Sequence, residues 1–168
     1  MSEKSLLAPE HAYRVLTSQA ESIAAIDEVI AAAQRTIRIF DYTLANRGFN
    51  SPGRAEALRA FLVAGRAHRL YIALHEPEHL HRECPRLINL QRQFPMSIEI
   101  HRTLAQAREA ADPFVTADDH SVWHQLHFSQ ARAVVAVHSP ADATPIMQRF
   151  EEIWELSEPA ISATTTGL

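Results

Sequence analysis

Polar and apolar residues alternate along the chain with the periods of helices and strands. Ser18-Gln19-Ala20-Glu21 has the form of a capping box, in which the serine accepts from first-turn amides and the glutamate reaches back. The apolar residues behind it recur at helical spacing, which predicts an amphipathic helix that runs to about Gln34. Ser51-Pro52 combines an N-cap with a proline at the first helical position and predicts a second helix, ending near Gly65.

Runs of β-branched, aromatic and aliphatic residues predict the strands. Residues 36–42 form the first such run, and residues 70–74 are almost wholly apolar, as in a strand that is covered on both faces. The remaining elements are strands at residues 97–101, 113–117, 122–128 and 133–137, a helix at 85–93, and a last helix from Thr144-Pro145 to about Ser157. Phe150 and Trp154 stand at helical spacing in that last helix and are expected in the core.

This order of elements predicts an α/β fold with a mixed central β-sheet that is flanked by helices on both faces. The early strand–helix–strand crossovers are expected to be parallel and right-handed. The closely spaced strands after Pro113 are expected to be antiparallel. We divide the chain into an N-terminal arm (1–17), one α/β domain (18–157) and a flexible C-terminal tail (158–168).

Composition narrows the functional classes. The chain of 168 residues has the length of one domain, and its 16 basic and 20 acidic residues give a net charge of −4, which makes nucleic acid an unlikely partner. The single Cys84 excludes an internal disulfide framework, and no apolar run is long enough for a membrane span, so we expect a cytoplasmic protein. Lys4 is the only lysine, whereas histidine reaches 10 residues.

Several short stretches carry a resemblance to a known family. The segment Ala64-Gly65-Arg66-Ala67-His68 leads into the strand at 70–74, and Ala133-Val134-Val135-Ala136-Val137 precedes the helix that carries Phe150-Glu151-Glu152-Ile153-Trp154. This arrangement resembles one half-module of the phospholipase D superfamily over residues 18–157. The resemblance implies the fold of that half-module. It also implies a homodimer, because the family's complete site needs two half-modules.

The resemblance also shows what is missing. The family's chemistry depends on a His-x-Lys-x4-Asp motif, whose histidine attacks phosphorus and whose lysine neutralises phosphate oxygens. Aligned on the central strand, Ala111 and Pro113 stand at the histidine and lysine positions, and only Asp118 matches. The family's Gly-Ser-x-Asn element falls on Gln125-Leu126-His127-Phe128. The resemblance therefore implies that the usual phosphodiesterase reaction is lost.

Polar side chains could still form a ligand site where the parallel strands end. In open α/β sheets ligands collect beyond the carboxyl ends of the strands, where Asp41, His75 and His101 would converge. An arginine there can bind a phosphate or carboxylate through two parallel hydrogen bonds. The spacing in the histidine-rich loop 75–81 matches no known metal motif, so we predict neither a metal nor a cofactor. The candidate ligand-binding residues are Asp41, Arg47, His75, His101, Arg102, Asp118 and His127.

Two functions follow from these residues. The first is a catalytically degenerate phospholipase D-like domain that binds a small anionic ligand or another protein and has no catalytic residues of its own. The second is a hydrolase or metal-assisted phosphodiesterase with a non-standard histidine and aspartate site, which the histidine excess favours because imidazole titrates near neutral pH.

Overall fold

The computed structural model describes residues 13–161 of the chain. Within that range the chain forms eight strands, five helices and two short 3₁₀ turns. The strands are β1 (Tyr13–Leu16), β2 (Thr36–Asp41), β3 (Arg69–Leu74), β4 (Ile98–Thr103), β5 (Phe114–Ala117), β6 (Ser121–Gln125), β7 (Ala133–Ala136) and β8 (Ser157–Ile161). The helices are α1 (Gln19–Ala32), α2 (Pro52–Val63), α3 (Leu80–Glu83), α4 (Pro85–Gln93) and α5 (Pro140–Glu155).

All eight strands join one sheet in the order β1-β7-β6-β5-β2-β3-β4-β8. The central strands β2, β3 and β4 are parallel. Every other neighbouring pair is antiparallel. The predicted α/β fold with a mixed central sheet is therefore confirmed, including the parallel crossovers and the antiparallel strands after Pro113.

The pleat of the sheet sends alternate residues into two different helical layers. Ile39 of β2 belongs to the larger core, which α1, α2 and α4 cover. The next residue, Phe40, points to the opposite face, where α5 alone packs through Phe150 and Ile153. Helices therefore flank the sheet on both faces, as predicted.

Side-chain caps fix where the first two helices begin. The Ser18 hydroxyl accepts from the Glu21 amide at 3.1 Å, and the Glu21 carboxylate accepts from the Thr17 amide at 3.2 Å. Ser51 accepts from the Arg54 amide at 3.1 Å and is followed by a proline. Both helix starts agree with the sequence pattern, and α1 is also tied to the sheet because the Trp123 indole donates to Ser22 at 3.0 Å. The described residues include no helix with the length and hydrophobicity that a membrane crossing needs.

Both ends of the predicted domain differ from the expectation. The arm assigned to residues 1–17 contains β1, which pairs with β7 from Tyr13 to Leu16. The tail assigned to residues 158–168 contains most of β8, which pairs with β4. Flexibility was therefore the wrong prediction for residues 158–161. Residues 1–12 and 162–168 of these two segments lie outside the described residues.

Two interior boundaries also shift. The last helix begins at Pro140, after Ser139, so that Pro145 lies inside it rather than at its start. Ser139-Pro140 carries the same N-cap and proline signal as Ser51-Pro52, and the prediction chose the later of two prolines. The strand predicted over 122–128 ends at Gln125, because the chain then turns back toward β7.

Candidate functional site

Four of the predicted site residues lie around the carboxyl ends of the three parallel strands. Asp41 closes β2, His75 follows β3 directly, and His101 and Arg102 are near the end of β4. The register aligns Asp41 with Leu74, and Leu74 with Arg102. His75 is one residue beyond this row, so the pleat turns it to the opposite face of the sheet. The structure therefore does not gather Asp41, His75 and His101 around a single point.

Asp41 and Arg47 form a buried ion pair on the α1 side of the sheet. Arg47 donates through Nε to Asp41 Oδ2 at 2.8 Å, and only 6% of the Asp41 side chain is exposed. The second carboxylate oxygen of Asp41 accepts from the Tyr42 amide at 2.7 Å. The Arg47 guanidinium also lies 5.1 Å from the centre of a Trp123 ring. These contacts hold the guanidinium in one place at the carboxyl end of β2.

His75 is a buried structural histidine. Its Nε2 lies 2.7 Å from the Ala110 carbonyl oxygen, so this nitrogen carries the proton and donates. Its Nδ1 then accepts from the Thr103 hydroxyl at 2.5 Å. Burial lowers the pKa of His75, and the rings of Phe40 and Tyr42 pack edge-on against it. With both ring nitrogens occupied, His75 has no free atom to offer a ligand.

His101 and Arg102 are separated by the pleat of β4. The His101 ring stacks on Trp154 with ring centres 3.6 Å apart, and its Nδ1 lies 2.8 Å from the Ser157 hydroxyl. Burial lowers the pKa of His101. Arg102 pairs on the surface with Glu78 at 2.7 Å. His101 thus belongs to the contact between β4 and α5, whereas Arg102 belongs to an exposed ion pair.

Asp118 lies at the other end of β2. Its carboxylate accepts from the backbone amides of Gln34, Arg35 and Thr36 at 2.8–2.9 Å. Its backbone φ is +54°, a turn conformation that aspartate tolerates. Asp118 therefore fastens the β5–β6 turn to the start of β2, about 17 Å away from Asp41 along six strand residues.

Backbone hydrogen bonds tie the two residues that the resemblance aligns with the catalytic histidine and lysine to residues 125–128. The Ala111 carbonyl accepts from the Phe128 amide at 2.8 Å, and the Pro113 carbonyl accepts from the Gln125 amide at 2.9 Å. The Phe128 ring lies 4.2 Å from that of Tyr42. His127 packs its ring on Phe128 and bonds through Nδ1 to the Ser129 hydroxyl at 2.7 Å.

A polar cavity of about 250 Å³ lies beside this cluster, on the α1 side. Arg47 is the one predicted site residue that lines it. Gln125 also lines it; its side-chain amide donates to the carbonyls of Phe128 and Gln130. The remaining lining comes from Gln19, Ser22, Ala45, Asn46, Phe128, Ser129, Gln130 and Ala131. Sequence reasoning missed these residues because they come from three segments that only the sheet order brings together.

A second polar group went unrecognised on the α5 side. Asp112 accepts from His124 Nε2 at 2.8 Å and from Arg149 at 2.6 Å. Burial alone would raise the pKa of Asp112, but the hydrogen bonds from His124 and Arg149 outweigh it and hold that pKa below its usual range. The register of the β5–β6 hairpin, which aligns Phe114 with His124, was the signal that could have predicted this contact. Within residues 13–161, no three metal-ligating side chains are placed to hold an ion.

Comparison with known families adds one match along nearly the whole chain. A family model described as a domain of unknown function, DUF7931, matches residues 18–163. The chain belongs to the DUF7931 family. Among curated proteins, none matches this DUF7931 chain significantly.

Solved structures show what fold the DUF7931 domain has. TrmBL2, an archaeal chromatin protein described as having a novel mode of DNA binding, is 17% identical with a TM-score of 0.65; the match covers 95% of this chain and 62% of TrmBL2. Nuc from Salmonella typhimurium, a phospholipase D family member, is 18% identical with a TM-score of 0.59, over 89% of this chain and 99% of Nuc. NucT from Helicobacter pylori is 13% identical with a TM-score of 0.61, and the match covers 88% of this chain and 98% of NucT.

These identities are low enough that the comparisons establish the fold alone. The DUF7931 domain has a phospholipase D-like fold, as the sequence resemblance implied. The chain spans about three fifths of TrmBL2 and nearly all of the length of Nuc and NucT. The function of a domain with this fold depends on the residues of its own site.

Proposed function

We propose that this DUF7931 domain is a catalytically inactive phospholipase D-like domain that binds a ligand or a partner. The observation that carries the proposal is the pair Ala111 and Pro113 at the positions that the resemblance assigns to the nucleophile and the phosphate-binding lysine. A methyl group cannot form a phosphohistidine, and a proline ring cannot neutralise a phosphate oxygen.

The surroundings of these two residues support the same conclusion. Asp118, which matches the motif, accepts hydrogen bonds from three backbone amides. This structural role does not depend on catalysis. Phe128 is bonded through its amide to the Ala111 carbonyl, and its ring contacts that of Tyr42. Binding is supported instead by the polar cavity beside Arg47, where an oriented guanidinium meets buried amide and hydroxyl groups.

The proposal is tested by hydrolysis of bis(p-nitrophenyl) phosphate in the presence of a chelator. We expect no turnover above the buffer rate from the untagged protein. Turnover that falls in a His127→Ala variant would contradict the proposal, because His127 is the histidine nearest to the position of the family's Gly-Ser-x-Asn element. Ser129→Ala serves as the matched control, since it removes the hydrogen-bond partner of His127 and leaves the imidazole in place.

A second candidate is a hydrolase that uses Asp112 and His124. Nε2 of His124 donates to the carboxylate, and Nδ1 has no hydrogen-bond partner among residues 13–161, so Nδ1 can accept a proton as in the base of a catalytic dyad. A general esterase screen tests this candidate. Activity that is lost in both His124→Gln and Asp112→Asn would favour it over the binding domain, and an inactive wild-type protein would eliminate it.

Nucleic acid is a further candidate partner that the net charge of −4 had counted against. Arg59 and Arg86 line a groove of about 320 Å³ between α2 and α4, together with Glu56. Arg82 and Arg92 are exposed on α3 and α4. The similarity to TrmBL2 fits poorly with ruling nucleic acid out. We expect salt-sensitive retention of single-stranded DNA in a filter assay, lost in Arg86→Glu/Arg92→Glu and kept in Glu152→Gln on the opposite layer. No retention at low salt would remove this candidate.

A homodimer is the remaining part of the proposal, and it rests on the resemblance to a half-module. Size-exclusion chromatography with light scattering measures it directly. A mass of one chain at all concentrations would contradict it.

A further inference from the structure

The cavity beside Arg47 has the properties of a binding site for one small molecule. It opens between the start of α1, the loop at 44–47 and the loop at 125–131. Its volume of about 250 Å³ is below the usual range for drug-sized ligands, so it suits a small metabolite. Arg47 is the one charged side chain in its lining.

Arg47 is oriented as a donor. Its Nε and Nη2 are directed at Asp41, at 2.8 Å and 3.5 Å, and its guanidinium packs over Trp123. Among the described residues Nη1 has no hydrogen-bond partner and is not buried. Asp41 offsets most of the positive charge, so the guanidinium acts mainly as a hydrogen-bond donor, and the cavity disfavours a dianion more than a single negative charge.

Gln125 supplies the complementary acceptor. Only 4% of this residue is exposed, and its amide nitrogen is used by the carbonyls of Phe128 and Gln130. Its Oε1 is buried and has no hydrogen-bond partner among residues 13–161. A buried acceptor without a donor costs about 1–3 kcal/mol, which a ligand that carries a donor would recover.

Ser22 adds a further donor in the same wall. Its oxygen already accepts from the Trp123 indole at 3.0 Å, which leaves the hydroxyl proton to donate. The cavity therefore offers donors from Arg47 and Ser22 and an acceptor from Gln125. A ligand that satisfies all three needs an oxyanion and a hydrogen-bond donor on neighbouring atoms.

We propose that this cavity binds a small carboxylate that carries a hydroxyl or amino group beside it, a hydroxycarboxylic acid or an amino acid. The carboxylate accepts from Arg47 Nη1 and the Ser22 hydroxyl. The neighbouring hydroxyl or ammonium donates to Gln125 Oε1, which a rotation of that side chain brings to the cavity surface. This inference rests on the proposed binding function and names its ligand class.

Isothermal titration calorimetry on the untagged protein tests the ligand class with five probes. Glycerate and serine carry both groups, acetate carries the carboxylate alone, glycerol carries the hydroxyls alone, and inorganic phosphate is a dianion. We expect glycerate or serine to bind about tenfold more tightly than acetate and glycerol, because a site built around a buried acceptor rejects ligands without the donor. Tighter binding of glycerate indicates a hydroxy acid, and tighter binding of serine an amino acid.

Variants locate the binding in this cavity. Arg47→Lys can keep the ion pair with Asp41 but loses Nη1, and we expect about a tenfold loss of affinity. Arg102→Lys is the matched control, because it changes an arginine of the surface pair with Glu78 and should leave the affinity unchanged. Ala131→Trp fills the cavity from its exposed rim and should abolish binding without removing a polar group.

The inference would be overturned by no heat with any probe, by binding of acetate as tight as that of both glycerate and serine, or by equal loss of affinity in Arg47→Lys and Arg102→Lys. Tighter binding of inorganic phosphate than of glycerate would also overturn it, since the site would then be selected by charge alone. These results are separate from the hydrolysis assay, whose turnover would contradict the inactive domain even if glycerate binds.

Discussion

Arg54 is the buried charge on which the α1–α2 layer depends. Only 1% of its side chain is exposed, and it donates to the carbonyls of Arg47 and Ile23 as well as to Asp27. Its guanidinium also lies 4.6 Å from the centre of the Phe49 ring. Asp27 is half exposed, so the bonds to the two carbonyls carry more of the stability than the ion pair does.

We therefore expect Arg54→Ala to lower the free energy of unfolding by about 3 kcal/mol, because it removes a buried guanidinium that donates to two carbonyls and to Asp27 and packs on Phe49. Asp27→Asn is the matched variant, and we expect it to cost less than about 1 kcal/mol. Urea denaturation of both proteins measures the difference. Equal losses would show that the ion pair, rather than the carbonyl contacts, stabilises this layer.

The two buried histidines make stability depend on pH near neutrality. Burial lowers the pKa of His75 and of His101 in the folded state below the ordinary value of 6.5. The unfolded chain then binds more protons than the folded chain in this range, so the free energy of unfolding falls as pH drops below about 6.5. Above that pH both states are neutral at these positions, and their contribution is complete.

Urea denaturation at about pH 7.5 and about pH 5.5 should show the lower stability at acid pH. His75→Gln removes one of the two titrating groups. We therefore expect the free energy of unfolding to differ less between the two pH values in this variant, even if the variant is less stable overall. His127→Gln is the control, since His127 lies near the surface next to Ser129. If the free energy of unfolding changes equally between the two pH values in the wild-type protein and both variants, this account is contradicted.

The contacts of single residues were the hardest feature to predict from the sequence. The sequence places Asp41 and Arg47 six residues apart, and the structure joins them because the chain turns directly after β2. Asp118 was predicted as a ligand candidate, and its three amide contacts come from residues more than 80 positions away, which no local pattern reports. Gln125 and Ser22 were missed for the same reason.

At the scale of elements, the pattern of apolar residues predicted the buried strands and missed the two edge strands of the sheet. The strands β2 and β3 are apolar runs at the centre of the sheet, and they were found. The strands β1 and β8 are the two edges, where one side of the backbone has no partner and polar residues are tolerated. Their pairing with β7 and β4 is long-range, so local composition made them resemble an arm and a tail.

The edge strand β8 is expected to stabilise the fold in spite of its polar sequence. It covers the backbone of β4, and the Ser157 hydroxyl contacts His101. A chain that ends after Leu156 should lose about 2 kcal/mol, which corresponds to a fall in Tm of about 6 °C. A chain that ends after Ile161 is the matched control and keeps β8. Equal Tm values for the two truncations would show that β8 contributes nothing.

The two helical layers of the molecule differ in their balance of exposed charge, although Glu56 and Glu83 lie among the arginines of the α2–α4 side. On the α2–α4 side Arg59, Arg82, Arg86 and Arg92 form no ion pair within the described residues. The helix α5 on the opposite face exposes Asp142, Glu151, Glu152 and Glu155. The net charge of −4 conceals this separation, because a sum over the chain does not record where the sheet places each residue.

Copies of this protein are therefore expected to attract one another with opposite layers facing. Sedimentation velocity at about 0.01 M and about 1 M salt tests this, since the screening length falls from about 30 Å to about 3 Å between them. We expect larger species at low salt that disappear at high salt. Glu151→Gln/Glu152→Gln/Glu155→Gln should suppress them, and a distribution that is independent of salt would contradict the attraction.

The two tryptophans of the chain lie on opposite faces of the sheet. Trp123 is 1% exposed beneath Arg47 at the cavity, and Trp154 is stacked on His101 at an angle of 14° between the rings. Each indole is thus a built-in fluorophore for a different event. A ligand that draws Arg47 away should shift the emission of Trp123, whereas protonation of His101 should quench Trp154. A Trp154→Phe variant retains only the binding signal of Trp123, and its difference from the wild-type protein gives the titration signal of Trp154.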